Sequence, residues 1–124
     1  TGVSDEEAYE RLQRCCKTKG FTSKCVSTAC RYNVTLNEVV SVLYDEEGCK
    51  LSDVPAYLDC ATDGNDNSQC CRDRGIKEDI CLSGCRPPDA QLKKTLAKKN
   101  QDAAMNCAFD LEKILTCNRR GLKP

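Results

Sequence analysis

The chain has no histidine and no tryptophan, one methionine and only six aromatic residues: Phe21, Phe109, Tyr9, Tyr32, Tyr44 and Tyr57. Without imidazole, no side chain has an ordinary pKa near neutrality. Neither a Ser-His nor a Cys-His couple can then be assembled. A secreted phospholipase A2, in which a Cys-Cys pair precedes a histidine base, is excluded for the same reason. Few large rings mean a thin core, because aromatics supply much of the burial in a typical domain. No apolar run reaches the length of a membrane span. The formal net charge is zero, so no global field draws the protein to nucleic acid or acidic lipid. Residues 1–62 carry ten acids against seven bases and residues 63–124 nine against twelve, a mild asymmetry. The chain opens without a secretion signal, so a secreted product is expected here in mature or trimmed form, with Thr1-Gly2 an added remnant.

Cysteine is present in excess, at 12 of 124 residues. That density in a short chain signals a disulfide scaffold in an oxidising compartment. Each bridge adds roughly 2–4 kcal/mol where the core is thin. A zinc protein is the rival reading. Zinc sites use a C-x2-C knuckle or paired histidines, and the short spacings here are C-C, C-x4-C and C-x3-C. We therefore expect no metal and no cofactor.

Helix signals dominate. Ser4 with Glu7 reads as a capping box opening a helix over Asp5–Thr18, with Gly20 as its stop. Thr22 or Ser23 caps a short helix towards Cys30. Thr35 with Glu38 is a second box, before the apolar face of Leu36, Val39, Val40 and Leu43, and Gly48 ends that segment. β-Branched residues admit a strand there, but the cap and the 3.6-residue period favour helix. Ser52 and Pro55 open a helix to Cys60. Residues 61–68 are small, polar and turn-forming. Ser68 then caps a helix to Arg74, stopped by Gly75. Gly84, Pro87 and Pro88 break the chain, and Asp89 caps a helix with Leu92, Leu96 and Ala97 inward. Asn100-Gln101 marks a kink or break before a helix over Ala103–Cys117, which Gly121 ends.

The cysteine spacing repeats. Cys15, Cys16, Cys25, Cys30, Cys49 and Cys60 follow C-C-x8-C-x4-C-x18-C-x10-C. Cys70, Cys71, Cys81, Cys85, Cys107 and Cys117 follow C-C-x9-C-x3-C-x21-C-x9-C. Val54, Tyr57 and Leu58 precede Cys60 at the same offsets at which Leu111, Ile114 and Leu115 precede Cys117. Equal apolar offsets mean equal buried faces. The expected fold is a small all-α, disulfide-rich helical domain made of two tandem six-cysteine helical repeats, about 5–62 and about 66–121. A vicinal pair rarely bonds to itself, because the small ring is strained, so each pair should hold two different segments. Six cysteines allow 15 pairings per unit, and most bridges are expected to stay within a unit.

These residues resemble the DB module, a cysteine-rich family of nematode and insect extracellular proteins. The likeness rests on the twelve ordered cysteines. It rests too on the run Cys60-Ala-Thr-Asp-Gly-Asn-Asp-Asn-Ser-Gln-Cys-Cys, on Arg-Gly-Ile before Cys81 and Cys85, and on the closing Glu-Lys-Ile-Leu-Thr-Cys. It implies a single module over residues 1–124, six disulfides and no catalytic residues. The family's company of immunoglobulin and fibronectin type III domains implies cell-surface or matrix binding.

The expected function is a non-catalytic extracellular interaction module for a protein partner. The alternative is a secreted carrier of a small hydrophobic ligand. The Val, Ile, Leu and Phe content argues against the carrier, since it barely lines two small units and leaves no surplus for a cavity. Lys93, Lys94, Lys98 and Lys99 form a basic stripe that would meet heparan sulfate or an acidic partner; as bland surface it is a solvated helix face, the preferred reading. Asn33-Val34-Thr35 is an N-glycosylation sequon. Asp45/Glu46/Glu47 and Asp63/Asp66 read as solvated charge, and 63–67 lacks the architecture of a calcium loop.

Overall fold

Local signals start and stop most helices. In the computed structural model, which describes residues 2–97 and 106–124, helix α1 (Asp5–Thr18) begins where the Ser4 hydroxyl accepts the Glu7 N–H at 3.1 Å. The expected box is half formed, because the Glu7 carboxylate accepts from Arg11 at 2.9 Å instead. Gly20 and Gly75 have φ of +84° and +95°. They stop α1 and α5 (Ser68–Asp73) in backbone that glycine adopts without steric cost.

Thr22 caps α2 (Ser23–Ala29) by accepting the Cys25 N–H at 3.1 Å. At α3 (Leu36–Leu43) both arms of the box are present. Thr35 accepts the Glu38 N–H at 3.2 Å, and Glu38 accepts the Thr35 N–H at 3.1 Å. A 3-10 turn over Leu51–Asp53 leads into α4 (Val54–Thr62), with Pro55 in its first turn. There a missing N–H costs nothing.

The joint differs from expectation. Ser68 is the first residue of α5 and not its cap. Its N–H and hydroxyl both donate to Asp66 Oδ1, so the local polar turn holds it. Helix α6 (Asp79–Leu82) runs into a 3-10 turn over Ser83–Cys85. Asp89 accepts the Leu92 N–H at 2.8 Å and starts α7 (Ala90–Ala97). The helix expected over Ala103–Cys117 also differs. Its described part begins as 3-10 over Asn106–Asp110 and becomes α-helix α8 only at Leu111–Arg120. The Asn100-Gln101 break, residues 103–105 and the Ala97 side chain lie outside what is described.

Six disulfides join Cys15–Cys60, Cys16–Cys30, Cys25–Cys49, Cys70–Cys117, Cys71–Cys85 and Cys81–Cys107. In cysteine order both halves thus pair first with sixth, second with fourth and third with fifth. All bridges stay within residues 15–60 or 70–117. Each vicinal pair fastens two segments: Cys15 holds α4, and Cys16 holds the end of α2.

Sulfur takes the place of rings in the core. Cys71, Leu82, Cys85, Ile114 and Cys117 form one buried cluster, and Leu12, Cys16, Val26, Cys30, Cys60 and Ala61 another. Helices α4 and α8, which carry the matched apolar offsets, pack on one another across the halves. Asn118, fully buried, closes the joint. It donates to the Gly84 carbonyl at 3.0 Å and accepts from Asn67 Nδ2 at 3.1 Å. The two ends meet where Arg119 donates to the Val3 carbonyl and to Asp5, above a cluster of Val3, Ala8 and Leu122.

Candidate functional site

Helices α4 and α8 present equivalent faces, yet what covers them is not equivalent. On one side α7 crosses onto the first half. Leu92 and Leu96 are buried there against Leu58, with Val54, Tyr57 and Ile80 around them. The helix at the corresponding place in the first half is α3. It packs back on α2 of its own half. Its Leu36, Val39, Val40 and Leu43 stay half-buried. An apolar helix face that meets no full partner leaves space beside it.

That space is a cavity of about 190 Å³, open to solvent on one side through a wide mouth and bounded by α3, α4, α7, α8 and the 3-10 turn at Ala108. The sequence expectation of no surplus for a cavity is therefore corrected. Apolar side chains are scarce in number, but asymmetric coverage by α3 and α7 concentrates them around one void. The matched residues Val54, Tyr57 and Leu58 of α4 and Leu111, Ile114 and Leu115 of α8 all line it. The third disulfide of each half also borders it, Cys25–Cys49 from one and Cys81–Cys107 from the other. Ala29 and Gly84, one residue before the fourth cysteine of each half, line it too. A Cβ at Gly84 would come within 3.1 Å of the Ile114 side chain, so the wall there is already tight.

The lining offers almost no polarity. The Tyr57 hydroxyl donates to the Ala29 carbonyl at 2.9 Å and is thereby satisfied. Burial pushes its pKa well above the usual phenol value, so it is neutral. Among the described residues, Lys50 and Asp53 are the charged ones of the lining. The Asp53 carboxylate accepts the Lys50 backbone N–H at 2.9 Å. Among the described residues, no buried side-chain nitrogen or oxygen lacks a hydrogen-bond partner. Such a wall rewards an uncharged ligand and penalises one that brings polar groups inside.

The residues singled out in the sequence lie elsewhere. Lys93 and Lys94 are exposed on α7, and Lys93 borders a separate open cleft with the Lys19–Asp59 ion pair (2.8 Å). Lys98 and Lys99 lie outside the described residues. Asn33 is exposed in the turn before α3. Asp63 faces Arg11 at 3.8 Å. Asp66 is held below the usual carboxylate range by the Ser68 hydroxyl and N–H. Asp45 is likewise lowered by its hydrogen bond from Lys24, whose own pKa is raised. The cavity was missed, although the unmatched apolar face of α3 was its visible signal.

No curated protein and no solved structure matches the chain. The family model of the DB module matches residues 15–118, and the chain belongs to that family.

Proposed function

We propose that this DB module is a secreted, non-catalytic carrier of a small, uncharged hydrophobic molecule, held in the cavity between its halves. The family and the disulfide density support an extracellular module. The carrying observation is the cavity of about 190 Å³ with apolar walls. An apolar cavity of roughly 150 Å³ in another protein stays dry and binds benzene. A ligand the size of an aromatic ring buries roughly 150–250 Å². At about 25 cal/mol per Å² that supplies about 4–6 kcal/mol of gross apolar gain, from which the cost of immobilising the ligand is subtracted. Longer ligands reaching out of the mouth bind more tightly.

Native mass spectrometry of the secreted protein after mild extraction tests the reading. A stoichiometric bound hydrocarbon-rich molecule is expected. Failure both to retain such a ligand and to take up naphthalene-sized dyes would sink it.

A second reading, contact with a cell-surface or matrix protein, is favoured by two rings. Tyr44 and Phe109 are 83% and 82% exposed, each next in sequence to a cavity-lining residue, Leu43 and Ala108. Exposed aromatics commonly anchor partners. An ectodomain binding screen repeated with the Tyr44→Ser and Phe109→Ser variants tests it: a partner whose binding survives both substitutions is not held there.

The matching pairing order and matching cavity positions support reading residues about 5–62 and about 66–121 as tandem copies. The exposed lysines of α7 give glycosaminoglycan contact a weaker claim. Neutralising Lys93, Lys94, Lys98 and Lys99 together should then lower the salt needed for elution from heparin; unchanged elution removes that contact.

A further inference from the structure

We infer that Asn33 carries an N-linked glycan. Asn33-Val34-Thr35 is the only Asn-X-Ser/Thr in the sequence. The structure turns this asparagine, and not its neighbours, outward. Tyr32 is pinned on one side, its hydroxyl donating to the Ala61 carbonyl at 2.7 Å. Val34 is pinned on the other, only 2% exposed. Between these anchors Asn33 lies exposed in a turn outside any helix. Its carboxamide makes no hydrogen bond among the described residues. A bulky substituent on Nδ2 therefore displaces no contact and buries no polar group. Thr35, whose hydroxyl the sequon requires, serves the folded chain as the cap of α3. Sequon and cap thus coincide.

The group transferred is an oligosaccharide from a lipid-linked pyrophosphate donor. The Asn33 side-chain nitrogen forms a bond to the anomeric carbon, and the bond from that carbon to the pyrophosphate oxygen breaks. The lipid pyrophosphate leaves with the electron pair, and one amide proton is lost to solvent. The attached glycan solvates the entry to α3 beside the Arg31–Glu38 ion pair and closes that surface to protein partners.

The test is production of the full chain through a eukaryotic secretory pathway, followed by intact-mass analysis. Expected is a glycoform series that collapses on amidase deglycosylation in heavy-oxygen water, with the isotope label at position 33. Asn33→Gln should be secreted in its folded form without the series. Thr35→Ser, which keeps both the sequon and a capping hydroxyl, should retain it. A secreted wild-type chain with the bare polypeptide mass overturns the inference. So does a glycoform series that persists in Asn33→Gln.

Discussion

The hydroxyl of Tyr57 donates to the backbone carbonyl of Ala29 over 2.9 Å. This single bond ties α4 to α2 while the Tyr57 ring forms part of the cavity wall. Tyr57→Phe keeps the ring and removes one of the two hydrogen bonds to the Ala29 carbonyl, which still accepts the Arg31 N–H at 2.9 Å. Stability should fall by about 1 kcal/mol, read from urea unfolding without reductant. Affinity for an apolar probe should change by less than about twofold. A loss beyond about tenfold would show that the ligand uses the hydroxyl, against the proposed apolar chemistry.

Ala108 borders the cavity from the 3-10 turn before α8. Ala108→Leu should occupy the void with its own methyls. Probe binding should weaken more than about tenfold, while stability stays within about 1.5 kcal/mol of wild type because the space already exists. Dye titration with parallel thermal melts separates the outcomes. Full binding with normal stability would mean that the ligand sits elsewhere.

Asn118 is completely buried and bridges Gly84 and Asn67. Asn118→Ala leaves a buried carbonyl without its donor and Asn67 without its acceptor. A loss of about 2–3 kcal/mol is expected, with all six disulfides retained by peptide mapping. Asn118→Asp should cost at least as much, since a carboxylate facing the Gly84 carbonyl offers no donor.

The pH dependence has two arms. Burial raises the pKa of Tyr32 and of Tyr57; the charge of Asp63 adds to the first. The folded chain then holds protons that the unfolded chain loses above about pH 10. That stability is fully present below about pH 10 and drains away as pH rises further. Asp45 and Asp66 are lowered, chiefly by hydrogen bonds from Lys24 and Ser68. Their contribution is present above about pH 4 and is lost as pH falls. It is small, because both groups are solvated. With no histidine, melting temperature should be flat from about pH 5 to about pH 9. Tyr32→Phe should blunt the alkaline decline, and an unchanged decline would place its origin in other groups.

Much of the helix pattern is readable in order along the chain, because caps and stops act within a turn. Ser4, Thr22, Thr35 and Asp89 each accept a nearby N–H, as their side-chain chemistry requires. Ser68 misleads, since Asp66 two residues earlier competes for its donors. The stretch before Leu111 misleads too. Cys107 is bound to Cys81 and sits in a 3-10 turn that a helical period alone does not distinguish from α-helix.

The sequence by itself determined the class of molecule. The lack of histidine, the twelve cysteines and their repeated spacing specify a stapled helical module, because spacing and caps are local or nearly local. It also marked the faces of α4 and α8 that meet. Only the tertiary structure decided the pairing, since six cysteines admit 15 arrangements and distance in space selects one. The structure alone also decided that α7 crosses to the other half while α3 folds back on its own. Counting apolar residues cannot show that difference. A void is set by where surfaces fail to meet, and the cavity on which the proposed function rests lies where α3 was left half-covered.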